Sequence, residues 1–279
     1  MRILQKFFLK KKPVLPALKH IVVTTFHKEG YNIYGKKCIE SFLEFWPKEV
    51  SMLVYAEDVD VEISHPRIRV FDHTATLPRL LQFRSKFGAN EFANGTDPTR
   101  TKTNNFRWDA IRFSNKVFAV TDAIRKTVGI YDQLIWLDAD TITHRNIPSS
   151  LLDRLAPKDE QLSAYLNRKG YPECGWVGYN LNHARIGDFA SRFEDIYLSG
   201  QFLELRENHD SYVFWHIVKD MARRNEAQFK YLGSNRATGH IFINSELGGY
   251  LDHLKGDRKT EGKSRADDLK VSRNEDWWR

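Results

Sequence analysis

Two carboxylates one residue apart, Asp138 and Asp140, close the apolar run Leu134-Ile135-Trp136-Leu137. Side chains alternate along an extended chain, so both carboxylates project to the same side at a strand's end, where together they can hold a hard divalent cation. A metal-bridged diphosphate is therefore the first ligand to consider. The same Asp-Ala-Asp would equally serve as an acidic turn after a strand, and the remaining residues have to decide between the two.

Far downstream, the string Asp252-His253-Leu254-Lys255-Gly256-Asp257-Arg258-Lys259 holds the spacing His-x-x-Gly-x-x-Lys. A neutral imidazole at His253 can complete a metal site begun by two carboxylates. A glycine at Gly256 lets the backbone approach a phosphate, and Lys259 can neutralise it. Thr24 and Thr25 at the end of a first strand, and Glu57 with Asp58 at the end of a second, are placed to meet a nucleoside. Arg112 and Lys116 lie one helical turn apart, so they form either a basic face that reaches sugar or phosphates or a solvent-facing charged stripe. Glu173-Cys174-Gly175-Trp176 and Asn208-His209-Asp210-Ser211 are the candidates for an acceptor side. Glu173 and Asp210 are the catalytic candidates there, although Asp210 would also serve as the N-cap of a helix.

A competing nucleotide motif is Gly30-Tyr31-Asn32-Ile33-Tyr34-Gly35-Lys36-Lys37, one residue short of a phosphate-binding loop. Lys37 stands where a Ser or Thr hydroxyl should meet magnesium, and two tyrosines crowd a loop whose backbone must wrap phosphates. The glycines then serve a turn and a helix start.

The elements that must position these residues follow from hydrophobic spacing. His20 to Thr25, Ser51 to Ala56 and Ile68 to Phe71 read as strands, and the run ending at Asp138 as another. Helices are expected from about Ile33 to Trp46, from Trp108 to Arg125, near Asp188 to Tyr197 and from Ser211 to Met221, with a strand around Trp176 to Tyr179. Alternating strands and helices predict an α/β fold with a mostly parallel sheet, which binds ligands beyond the carboxyl ends of its strands. Residues 87–106, rich in Gly, Asn and Thr, read as a long loop that is either functional or disordered.

The 279-residue chain, 41% hydrophobic, suffices for one large domain. No linker separates parts, so residues 20–264 read as one domain: a nucleotide half to about 145, an acceptor half to about 250 and a closing segment 251–264. A basic extension 1–19 and a tail 265–279 flank it. The net charge of +7 is concentrated, since residues 1–12 and 79–116 are strongly basic and the remainder is net negative. Such patches suit an anionic partner, or solubilise a tail and a loop. Cys38 and Cys174, the only cysteines, indicate neither a disulfide framework nor a structural zinc. With no stretch of about 18 apolar residues and no signal peptide, a soluble, cytoplasmic protein is expected. Nothing requires an obligate protein partner.

The first strand, the Asp-Ala-Asp after Leu-Ile-Trp-Leu and the C-terminal His-x-x-Gly-x-x-Lys together resemble the GT-A glycosyltransferases, in particular the glycogenin and lipopolysaccharide galactosyltransferase group. The match runs in order over roughly residues 20–262. The resemblance implies that Asp138, Asp140 and His253 bind manganese, that Gly256 and Lys259 contact the diphosphate of a nucleotide-sugar donor, with UDP favoured, and that Ala139 lies near its ribose. It also implies that the segment after the metal strand and the start of a later helix wall the acceptor pocket. The group's usual Pro-Trp after the lysine is replaced here by Thr260-Glu261. If the reaction is retaining, as in that group, no side chain stands out as a nucleophile.

The longer string Tyr250 to Ser264 also resembles the C-terminal signature of glycosyltransferases encoded by tailed bacteriophages. That resemblance, with the basic stretches, points to a hydroxymethylated pyrimidine in DNA as acceptor. Arg84, Lys86, Arg100, Lys102 and the N-terminal lysines would contact phosphates, and the loop 88–105 would help flip the base. A surface glycan or lipid-linked saccharide is the alternative, with Phe7-Phe8-Leu9 and its lysines grazing an anionic membrane. A third reading is a catalytically idle nucleic-acid-binding protein whose acidic pair holds no metal.

Overall fold

The computed structural model describes residues 18–279 apart from 235, 237 and 238. Strand β1, His20–His27, is the β-branched run in extended form. Its alternate residues serve two cores: Ile21 and Val23 pack on one face of the sheet and Val22 on the other. β2 is Ser51–Glu57, β3 Ile68–Asp72, β4 Gln133–Leu137 and β5 Thr141–Thr143. β6 is Gln161–Leu166, β7 Glu173–Asn180, β8 Gln228–Tyr231 and β9 Leu251–His253.

Seven strands form one sheet in the order β3-β2-β1-β4-β7-β6-β8. Neighbours are parallel except at β7, which runs antiparallel to both β4 and β6. The expected α/β fold with a mostly parallel, helix-flanked sheet is therefore present. One face is covered by the helix Ala110–Thr127, whose Val117, Phe118, Val120 and Ile124 meet Leu134 and Trp136, and by Phe189, Phe193 and Phe214 from two later helices. The other face is covered by Cys38, Ile39 and Phe42 of the helix Lys36–Phe45 and by Leu151 and Leu152 of Ser149–Leu155. Burying a large apolar side chain of this kind contributes roughly 1.5–3 kcal/mol of transfer free energy, which is why these alternations fix which way each strand faces.

β1 sits between β2 and β4, so the chain leaves it toward β2 and β3 on one side and returns as β4 on the other. Beyond the carboxyl ends of strands at such a reversal, an open α/β sheet leaves a crevice. β5 and β9 form a separate antiparallel pair, with Thr141 opposite His253, Ile142 opposite Asp252 and Thr143 opposite Leu251.

Several expectations are corrected. Residues 28–45 are helical throughout, as Lys28–Gly30, a π-helical turn Tyr31–Gly35 and Lys36–Phe45, so no phosphate loop wraps there, and Lys36 pairs with Glu62 at the surface. The helix Asp210–Arg223 has His209 at its N-cap without a side-chain cap bond; Asp210 is its first residue and not the cap. The basic stretch contains a helix, Pro78–Phe87, that the turn-rich sequence around it obscured. The loop after it is pinned by the buried Asp97, which accepts from Thr99 and Thr101. Residues 265–279 fold back onto the body rather than trailing from it: Arg273 Nη2 donates to the Ile243 carbonyl at 2.7 Å and Trp278 Nε1 to Gly248 at 2.8 Å. The apolar Phe7-Phe8-Leu9 stretch lies outside the described residues. Among the described residues no helix is long and apolar enough to cross a membrane.

Candidate functional site

The strand β4 delivers Asp138 immediately past Leu137, and the β5–β9 ladder delivers His253 opposite it. His253 Nε2 stands 3.1 Å from Asp140 Oδ1 and 3.5 Å from Asp138 Oδ2. The backbone carbonyl of Asp140 accepts from Leu254 N at 2.8 Å, and Asp138 N donates to the Gly175 carbonyl at 2.9 Å, so the main chain holds all three residues in place. His253 Nε2 is close enough to an oxygen of each aspartate to share one cation with it, since two ligands with bonds of about 2.1 Å can stand up to about 4.2 Å apart, and all three ligand atoms lie within 4.8 Å of one another. Two carboxylates and an imidazole fit Mn2+ or Mg2+, with the nitrogen favouring Mn2+.

Around this trio the charges are arranged in pairs. Lys259 Nζ lies 2.8 Å from Asp140 Oδ2. Lys116 Nζ bridges Asp138 Oδ1 and Asp210 Oδ2, both at 2.9 Å, and donates to the Cys174 carbonyl at 2.6 Å. Burial alone would lower the Lys116 pKa, but Asp138 and Asp210 push it above the ordinary lysine range. Burial would raise Asp140, yet His253 and Lys259 hold it well below the usual carboxylate range. His253 is buried, which lowers its pKa, and Asp140 more than reverses that effect. The indole Nε1 of Trp136 donates to Asp138 Oδ1 at 2.6 Å, giving that tryptophan an orienting duty beyond its place in the strand.

Glu173 opens β7 behind the imidazole. Its Oε1 accepts from Gly175 N at 3.2 Å and lies 3.7 Å from His253 Nδ1, while Lys255 and Arg168 flank Oε2. Burial opposes ionisation, but Lys255 and His253 bring this carboxyl down to about 2. Its neighbours make it a support for His253 more than a free acid or base.

A cavity of about 610 Å3 opens over the cluster, and among its lining residues are Thr25, Glu57, Arg112, Lys116, Asp138, Ala139, Asp140, Glu173, Asp210, Gly256 and Lys259. Thr24 is fully buried and does not line it; the outward residue of the pair is Thr25, whose hydroxyl donates to the Tyr55 carbonyl at 2.6 Å and to Glu57 Oε1 at 3.1 Å. Burial raises Glu57 to about 7, with Thr25 and Arg84 opposing. Trp176 does not face the cavity; it is buried against Trp46 with centroids 5.8 Å apart.

Some lining residues escaped the sequence reading. Tyr34 falls on the apolar stripe of an ordinary helix, but the π-helical turn inserts a residue and turns it toward the cavity, where the Lys259 ammonium lies 5.2 Å from its ring. Burial and the nearby Asp140 push its hydroxyl up to about 12. Gly30 leaves room for that hydroxyl, which a β-carbon would overlap. On the opposite wall Phe106, Phe113 and Tyr171 surround His209, the last with centroids 4.6 Å away, and Glu207 Oε2 lies 3.0 Å from His209 Nε2. Of the residues expected to contact nucleic acid, Arg84 donates to Asn115 at 2.6 Å, Lys86 to the Leu198 carbonyl at 3.3 Å and Arg100 to Glu91 at 2.7 Å.

Among solved structures, mouse xyloside xylosyltransferase 1 is similar with a TM-score of 0.49 and 14% identity, covering 76% of this chain and 84% of that one. A glycosyltransferase involved in the glycosylation of the major capsid of PBCV-1 gives 0.48 and 10% identity over 87% and 98% of the two chains. GlyE of Streptococcus pneumoniae TIGR4 gives 0.44 and 13% identity over 77% of this chain, which spans only 45% of GlyE. No score among these reaches 0.5, so they carry no argument about activity. No family model matches the sequence, and no curated protein does.

Proposed function

We propose that this chain is a metal-dependent glycosyltransferase of the GT-A kind, which moves a sugar from a nucleotide-diphosphate donor, UDP-linked by preference, to a hydroxyl acceptor. The observation that carries the reading is the meeting of Asp138, Asp140 and His253 beside Lys259 at the sheet's reversal point. Asp138, Asp140 and His253 would hold Mn2+ or Mg2+, which when bound supplies charge stabilisation to the departing diphosphate. Lys259 and the backbone at Gly256 add a cation and a close approach to the same phosphates, electrostatic help that acts where negative charge develops. Thr25, Glu57 and Tyr34 line the nucleoside end, Arg112 and Lys116 the sugar, and Asp210 with the His209 wall the acceptor.

For the acceptor, a hydroxymethylated pyrimidine in DNA is supported by the basic composition of residues 79–116 and by rings that could stack a flipped base. A saccharide hydroxyl is the second reading, favoured because Arg84, Lys86 and Arg100 are engaged within their own chain. The first test is Mn2+-dependent hydrolysis of a panel of nucleotide sugars. Turnover of one donor that vanishes with chelator supports the assignment, and no turnover or metal binding with any donor refutes it. Adding hydroxymethylcytosine DNA, hydroxymethyluracil DNA, unmodified DNA or simple glycosides with that donor, followed by mass analysis of nucleosides and glycans, then names the acceptor class.

A further inference from the structure

Asp252 precedes His253 on β9, and successive strand residues face opposite ways, so its carboxylate points away from the metal trio. It is fully buried. Its hydrogen bonds come from the C-terminal segment: Ser264 N donates to Oδ2 at 2.8 Å, Ser264 Oγ to Oδ1 at 2.6 Å and Trp277 Nε1 to Oδ2 at 3.0 Å. Trp277 also stacks on His144, just past β5, with centroids 5.3 Å apart and planes at 7°. His144 N in turn donates to the Tyr250 carbonyl at 2.9 Å, next to β9. One indole therefore ties down both strands of the ladder that carries His253 to Asp140.

A buried carboxylate left without donors is costly, and the cheapest relief is for it to turn toward water. On a three-residue strand, such a turn of Asp252 swings His253 off the acidic pair. We infer that Trp277, through its bond to Asp252, is a positioning residue for His253, and that docking of the C-terminal segment and cation binding are coupled. By linkage, metal binding then tightens the docked segment by the same factor that docking tightens the metal.

The inference rests on the metal-site reading, and its test separates the two. In Trp277→Phe the ring can still stack on His144 but the N–H donor is gone; Ser264→Ala removes a second donor. In metal-free protein, the imidazole 15N resonances of His253, identified by their loss in His253→Gln, should shift in Trp277→Phe and further in the double variant. Mn2+ binding, followed by the paramagnetic signal, should be about tenfold weaker in Trp277→Phe than in wild type, as for other residues that orient a ligand. Unmoved His253 resonances overturn the inference whether or not metal binds. Wild type that binds no Mn2+ overturns the metal reading and the coupling, while shifted resonances would still establish the positioning. Equal Mn2+ affinities in wild type and variants overturn the coupling alone.

Discussion

Gly175 lies so close beneath the His253 ring that a β-carbon placed on it would stand 2.7 Å from both Cε1 and Nδ1. The backbone of β7 is fixed by its ladder with β4, so the imidazole is the part that must move. Gly175→Ala is expected to displace His253 from Asp140 and to weaken Mn2+ binding by about 10-fold or more, with a stability cost of about 1–3 kcal/mol for overpacking. Calorimetric titration with Mn2+ beside a urea melt checks it; full-strength binding would show that the ring can retreat at no expense to the site.

Lys116 is the counter-ion that the half-buried Asp138 and the buried Asp210 share. Lys116→Met removes it and leaves Asp138 and Asp210 facing each other. Breaking a buried pair from one side costs about 3–5 kcal/mol. Because a cation at Asp138 replaces part of the lost charge, the deficit should narrow when millimolar Mn2+ is added, since a ligand that binds only the folded state stabilises it. Urea midpoints with and without Mn2+ measure both effects, and an equal deficit in the two conditions contradicts the shared counter-ion.

How far these relationships could be read in the sequence depends on their range. Asp138 and Asp140 were legible because strand alternation is local, and His253, Gly256 and Lys259 because their spacing matches one phosphate's needs. Lys116 was legible as part of a helical face, but its burial between two acids depends on how that helix lies across β4. The place of Tyr34 on the cavity wall was not legible, since a π-helical turn leaves no mark in a 3.6-residue period. Asp210 looked like a cap because only the fold reveals that His209 takes the cap position. Trp277 and Trp278 were set aside with the tail, as no periodic pattern links a terminal tryptophan to Asp252.

Asp210 lines the cavity, and its carboxylate is anchored by Lys116, not by a helix-capping bond. If it orients the acceptor hydroxyl or takes its proton, Asp210→Asn should lower kcat about 100-fold, the lower end of what a placed acid or base contributes. Mn2+ affinity and donor hydrolysis in the absence of acceptor should change little. Steady-state kinetics with and without acceptor decides this: parallel losses in both reactions would place the residue on the donor side instead.

Glu57 offers a pH signature opposite in direction to those of the carboxyls of Asp140 and Glu173. Burial raises its folded pKa to about 7 from an ordinary value of 4.5, with Thr25 and Arg84 only partly opposing. Between those two values the folded protein keeps a proton that the unfolded chain has released. The folded state therefore binds more protons than the unfolded one, and stability must fall as pH rises through this window. Glu57→Gln, neutral at every pH, should be stabler than wild type at pH 8, and the difference should shrink as the pH is lowered toward 5. Donor binding should follow the same group, because a protonated Glu57 can donate to a carbonyl or hydroxyl of the nucleoside while an ionised one only accepts. Wild-type affinity for UDP should then decline above pH 7, and Glu57→Gln should flatten that decline. Thermal melts of the two proteins from pH 5 to 8, paired with UDP titrations in saturating Mn2+, test both halves; parallel curves throughout would mean that Glu57 ionises as freely folded as unfolded.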